Sequence, residues 1–377
     1  GVVAHRNNDV ERARNFYREA LAVPSGPTPL DRARTRVNLG LLEFDARDFA
    51  AALVSHRAAI AEASEALGES HPLVLELATY EAAALDALGH RQAARERLTT
   101  FITAESSDGA GSQRSPWPSI RLSRLDSHFR RRTSARTSAQ RALAAANPDD
   151  VLTRLNAETA LADALTDVNA ALTHYAGVLD RCQATYGEHH PAMASFLQRA
   201  AAGMLRLSLP TEAREHLRRA LVIGERLAGS DLAATAETHR LLADAALALA
   251  DPTSALASAT AAVTILTELP GDHGLDLALA RRSLARAHLA RGELAPATTA
   301  LSAVLAVLEP RLDPDDPDLA ATRSDLARAL LTADPTHPDA RALLTQARDV
   351  YAALGEPFAR ERHDVEQRLA ATTTPHP

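Results

Sequence analysis

Small residues recur along this chain in a fixed rhythm. Ala201, Ala213 and Ala220 are separated by twelve and then seven residues. The same two steps join Gly40, Ala52 and Ala59, then Ala243, Ala255 and Ala262, then Ala285, Ala297 and Val304. The middle members Ala213, Ala255 and Ala297 lie forty-two apart. A register repeating at this length marks a stack of like units, none of which can bury its apolar stripe alone. The demand is steric: where two helices of a unit cross, side chains must be small for the backbones to approach. Larger ones such as Phe196, Leu197, Leu205, Leu217 and Leu221 pack on the neighbouring unit.

Composition agrees with helices. Of 377 residues 46% are apolar and only 3% aromatic, so the core must be mostly Ala and Leu. Both are strong helix formers, and the β-branched or aromatic runs expected of strands are missing. All 41 cationic side chains are Arg. Without Lys there can be no Walker A lysine, no Schiff-base lysine and no ATP-positioning kinase lysine. The single cysteine, Cys182, cannot form an intrachain disulfide and falls on an apolar stripe, where it reads as a buried thiol. No apolar run reaches the roughly 18 residues of a membrane span. A net charge of −7 argues against general nucleic-acid binding. The expectation is a cytoplasmic, all-α chain with no cofactor and no metal.

The paired small residues seven apart, with a large apolar residue between them, resemble the second helix of a tetratricopeptide repeat. The forty-two-residue period, with Gly-x-x-His-Pro at Gly187–Pro191 and Gly68–Pro72, is similar to the kinesin light-chain type. That resemblance implies a right-handed α-solenoid of about eight or nine helix pairs, acting as a scaffold for a protein or peptide partner. The closing segment, LLTQARDVYAALGEPFARERHDVEQRL, resembles the repeat tails of large bacterial serine/threonine protein kinases. The tail of a signal-transduction ATPase or transcriptional regulator is the alternative.

The register divides the chain. Units occupy 1–105, the first entered mid-helix, since Gly1, Ala13 and Ala20 already keep the twelve-plus-seven step, which suggests a fragment of a longer polypeptide. A Ser/Gly/Pro-rich loop and a degenerate basic unit fill 106–148, either continuing the stack or interrupting it as an inserted helix pair. Units resume over 149–356, a capping helix follows at 357–371, and 372–377 reads as a disordered tail. Pro210 and Pro252 mark helix starts, where a missing N–H costs nothing, with Asp251 as an N-cap.

Several side chains invite chemistry. His71, His189, His190, His273 and His337 sit in inter-unit loops a repeat apart, without partners to complete a zinc shell, and read as turn residues. The acids of Asp313–Asp318 lack the Gly and Glu of a calcium loop and suit helix N-termini instead. No nucleophile elbow or phosphate-cradling glycine run occurs, so this chain is not expected to be an enzyme. The degenerate unit carries Arg121, Arg124, Arg130, Arg131, Arg132 and Arg136, with Arg114 and Arg141, against the single acid Asp126. These form a dock for an acidic segment or simply a solvated basic face.

In tetratricopeptide solenoids the first helix of each unit lines a concave groove. By that resemblance, positions on either side of the small residue place Asn156, Gln198, Arg240, Arg282, Arg286 and Arg328 on the inner wall. Four guanidiniums suit an acidic or C-terminal carboxylate peptide. The alternative is that Asp244 and Asp325 pair with them and leave the wall neutral.

Overall fold

The computed structural model describes residues 10–23, 28–69, 71–107, 115–226 and 231–372. The expectations resting on Gly1, on Arg114 and its surrounding loop, and on the tail from 373 lie outside them. The described residues form eighteen α-helices and one 3-10 turn, without a strand. A first helix, α1 (Val10–Ala22), is followed by eight antiparallel pairs. These are α2 (Pro29–Asp45) with α3 (Phe49–Leu67), α4 (Pro72–Ala87) with α5 (Arg91–Ser107), α6 (Trp117–His128) with α7 (Arg132–Ala145), and α8 (Val151–Ala164) with α9 (Val168–Tyr186). Next come α10 (Pro191–Arg206) with α11 (Pro210–Arg226), α12 (Leu232–Ala248) with α13 (Pro252–Glu268), α14 (Gly274–Ala290) with α15 (Leu294–Leu308), and α16 (Pro317–Ala333) with α17 (Pro338–Leu354). A 3-10 turn at Glu356–Phe358 leads into α18 (Ala359–Ala371), which packs on α17. Helices α6 and α7 pack on each other and on α5 and α8, in line with the pairs before and after them.

The small residues lie at the crossings. Ala52, Ala59, Ala201, Ala213, Ala243, Ala255, Ala262, Ala285 and Ala297 have no exposed surface, and Gly40 and Ala220 are buried with them. At Gly40 a Cβ would stand 2.4 Å from the His56 ring of the paired helix, so only a glycine lets α2 and α3 approach this closely. Pro210 and Pro252 open α11 and α13, and the Asp251 side chain accepts the Ser254 N–H as an N-cap. His71, His190 and His337 do the same work before α4, α10 and α17, each Nδ1 accepting the amide two residues on. Cys182 is buried, and burial pushes its thiol pKa up.

Six of the eight pairs share one turn. Arg47, Gly89, Arg130, Ser208, Ala250 and Gly292 all take positive φ just after the first helix of their pair. The next residue's N–H reaches back five positions in every case, from Asp48 to Glu43 O through to Glu293 to His288 O. This is the Schellman closure, which normally favours Gly. A side chain there costs about 1–2 kcal/mol.

Two of the side chains that sit there, Arg47 and Arg130, reach a distant part of the chain. The stack winds until its early pairs touch its late ones along three seams. Around Arg47, the Asp272 N–H donates to Arg47 O at 3.2 Å, Arg47 Nε donates to Asp272 O, and its guanidinium also binds Asp276. Around Gly89, the Gln92 N–H donates to Asp313 at 2.7 Å and Arg91 binds Asp316 and Asp318 at 2.8 and 3.1 Å. Around Arg130, the guanidinium donates to Pro357 O and Glu361 at 2.8 and 2.7 Å and lies over the Phe358 ring. Each seam joins the turn inside one pair to the loop that follows the fifth pair after it. Backbone meets backbone there: a Cβ at Gly89 would come within 2.6 Å of Arg311 O, and one at Gly271 within 2.9 Å of Ala46 O.

Candidate functional site

Closure turns the concave side of the stack into an interior, walled by the first helix of each pair. A cavity of about 650 Å³ lies between α6, α8, α10, α14, α16 and α18. A second, of about 630 Å³, lies between the first seam and α4. The larger is lined by seven arginines (Arg124, Arg130, Arg206, Arg282, Arg286, Arg328 and Arg368) and five carboxylates (Asp163, Asp318, Asp325, Glu361 and Asp364), so its wall is net positive.

The wall is a ladder of ion pairs that steps from pair to pair. Arg240 binds Glu237 and Asp244 at 2.6 and 2.9 Å; Arg286 of the next inner helix binds the other oxygen of Asp244 at 2.9 Å. Arg282 donates to Asp325 on α16 at 3.0 Å, and Arg328 reaches Asp325 at 3.4 Å. The guanidiniums of Arg240, Arg282 and Arg286 therefore already hold carboxylates. Arg328 is held more loosely, and its Nε is buried without a partner. Burial opposes ionisation of Asp318 and Asp325, yet both carboxyls sit below the usual range. His128, Arg91, Arg282 and Arg240 surround the first; Arg282, Arg286 and Arg328 surround the second. Such a buried network loses several kcal/mol if one partner is removed.

Gln198 is not among the residues lining either cavity. Its amide donates to Ala234 O and Thr238 on α12, the next inner helix, fastening neighbouring units, while the next residue, Arg199, donates to Asn156 on α8, the inner helix before it. Asn156 does lie on the wall, where its Oδ1 accepts from Arg124 at 2.8 Å and from Arg199 at 2.5 Å. The same division recurs on α14, where Arg282 reaches Asp325 on the next inner helix and Ser283 reaches Asp244 on the one before.

The basic segment does not form one face. Arg121 and Arg124 point to the interior, and Arg130 belongs to the third seam. Arg131 lies over the Phe129 ring, Arg132 donates to Leu165 O, and Arg136 is exposed. Asp126, which has no exposed surface, is bound by Arg95 at 2.6 Å and by Ser134.

One cluster has the composition of a metal site: His128, Asp316 and Asp318 bring ligand atoms within 4.8 Å of one another. A guanidinium stands among them. Arg91 Nη1 is 3.1 Å from His128 Nε2 and within hydrogen-bond reach of both carboxylates, so the cationic position is filled by the protein itself. His273, buried in its loop, has Nε2 against Pro270 O, and His189 lies beside Arg226.

Paired helices with small residues at every crossing and an inward wall drawn from each first helix define an α-solenoid of tetratricopeptide type. Residues 32–73 match the tetratricopeptide repeat family. Among solved structures the chain is similar to a Rap protein complexed with Competence and Sporulation Factor: TM-score 0.55, 14% identity, 91% of this chain and 99% of that one. It is also similar to Cut9–Hcn1 of the APC/C: TM-score 0.53, 12% identity, 98% of this chain and 60% of that one. A kinesin light-chain protein of Podosopora anserina, built of nearly identical TPR-like repeats, aligns over 55% of this chain and 99% of its own at 22% identity and TM-score 0.41. No curated protein sequence matches this one. No helix among the described residues is long and apolar enough to cross a membrane.

Proposed function

We propose that this chain is a non-catalytic protein-interaction scaffold that receives an acidic segment of a partner polypeptide in its interior. The observation that carries the reading is the net positive wall of the 650 Å³ cavity, in which Arg328 keeps an unpaired Nε. A cavity of this size holds a few residues of extended chain, and guanidiniums recognise carboxylates through paired N–H donors. The solved Rap protein of similar fold is itself complexed with a factor. The ladder of Arg240, Arg282 and Arg286 is, in this reading, the rigid support of the wall, and Arg328 is its contact.

Titration calorimetry with a Glu-rich decapeptide tests it. Binding to the wild type that weakens about tenfold in Arg328→Gln supports the reading; equal affinity for both proteins, or none for either, dismisses it. For the setting of the scaffold we propose the tail of a bacterial serine/threonine kinase, on the resemblance of residues 343–369. A signal-transduction ATPase or transcriptional regulator is the second setting. The reading frame around this segment decides: a His-Arg-Asp loop with Asp-Phe-Gly indicates the kinase, a Walker A loop the ATPase.

A further inference from the structure

The interior carries one place where positive charge is left over. Arg124 on α6 and Arg199 on α10 donate to the same acceptor, Asn156 Oδ1, so two guanidiniums are held side by side by a neutral amide. Arg121, one helical turn before Arg124, adds its field to both. The carboxylates acting on this group are Asp163 and Asp86. Asp163 accepts from Arg206 at 2.5 Å and from the Tyr175 hydroxyl at 2.7 Å, and Asp86 faces Arg91 at 3.7 Å. Arg121, Arg124, Arg199 and Arg206 thus stand against two carboxylates, an excess of two positive charges. Burial, then the neighbouring Arg199, pushes the Arg124 pKa down to about 9. The molecule holds these cations together at a cost that a bound anion would remove.

We infer that Arg124 and Arg199, with Arg121 behind them, form a binding site for a phosphate-class dianion at the wall of the interior cavity. A single carboxylate would balance only one of the two charges. A phosphate balances both and offers enough oxygens for two guanidinium forks while Asn156 Oδ1 holds them next to each other. Arg124 lines the 650 Å³ cavity, which gives the ligand room. The site stands apart from the acidic-segment reading, whose contact is Arg328.

The experiment is a titration of the purified chain with inorganic phosphate, at constant ionic strength, followed by calorimetry and melting temperature. A parallel pair of peptides, identical except for one phosphoserine, shows whether the phosphate arrives free or on a polypeptide. Saturable binding of inorganic phosphate or of the phosphopeptide is expected in the wild type, weakened at least tenfold in Arg124→Gln and in Arg199→Gln and unchanged in Arg311→Gln, which lies at the first seam. Should a glutamine variant fail to fold, Arg199→Lys keeps the charge and loses the fork, and a several-fold weakening is expected there. Absence of binding in the wild type, or equal binding in the wild type and both glutamine variants, overturns the site. The Glu-rich peptide result bears on Arg328 alone, so either reading can fail without the other.

Discussion

Arg91 and Asp316 are separated by 225 residues in the sequence and by 2.8 Å in the fold. Asp316 has no exposed surface and its carboxyl is held below the usual range: burial works against the charge, but His128 and Arg91 outweigh it. Removing one partner of such a pair leaves an uncompensated buried charge, worth roughly 3–5 kcal/mol. Arg91→Met is expected to lose stability of that order and to open the second seam, seen as a larger radius of gyration in small-angle scattering. An unchanged radius would mean that the other two seams close the stack by themselves.

Gly89 and Gly292 occupy the same turn in different pairs, both at positive φ. A Cβ at Gly89 meets Arg311 O across the seam, whereas one at Gly292 meets nothing within 4 Å. Alanine at Gly292 should cost about 1 kcal/mol, the backbone penalty alone. At Gly89 the overlap adds roughly 1–3 kcal/mol. Urea unfolding of the two variants gives the difference, and equal losses would argue that the seam is soft.

His56 is buried, stacked on Tyr80, with Nδ1 lacking a partner; burial lowers its pKa to about 4. The unfolded chain, with an ordinary value of 6.5, then binds a proton that the folded chain refuses. Stability therefore falls as pH drops from 6.5 towards 4, by about 3 kcal/mol in all. Half-buried His216 and His239, also lowered, act in the same direction. Asp318 is also depressed but is an acid, so the stability it contributes is lost only below its unfolded value of 3.8. Denaturation midpoints at pH 7 and pH 4.5 should lie closer together in His56→Phe than in the wild type; an equal gap would place the acid sensitivity elsewhere.

Gly203 on α10 leaves space for the Tyr175 hydroxyl, and a Cβ there would displace that group and crowd Asp163. Gly203→Ala should break the Tyr175–Asp163–Arg206 contacts and cost roughly 1–3 kcal/mol. Gly177, inside α9, has nothing within 4 Å of its would-be Cβ, so Gly177→Ala should stabilise by about 0.5–1 kcal/mol. Thermal melts of both variants check the opposite signs.

The helix pairs were legible because their cause is local: two backbones approach only where a small residue recurs, as at Ala213, Ala255 and Ala297. The inner wall was partly legible. Arg282 and Asp325 follow from the register, but which partner a side chain on that wall takes depends on the neighbouring helix: Arg282 finds a carboxylate there, whereas Gln198 at the equivalent position finds Ala234 O and Thr238. The seams left no local pattern. Arg47 and Asp276 meet because small rotations accumulate over several pairs, and no spacing within one unit encodes that sum. The turns give no such signal either: Ser208 and Ala250 fill the same positive-φ position as Arg47 and Arg130 without touching a seam, and Gly89 fills it at one.

The seams also constrain how such a gene can change. Duplicating or deleting one unit between Arg130 and Gly271 would rotate everything beyond it by a full step. Arg47, Arg91 and Arg130 would then face the wrong loops together. A repeat added at either end would disturb none of them, so copy number is free to drift at the ends and frozen in the middle.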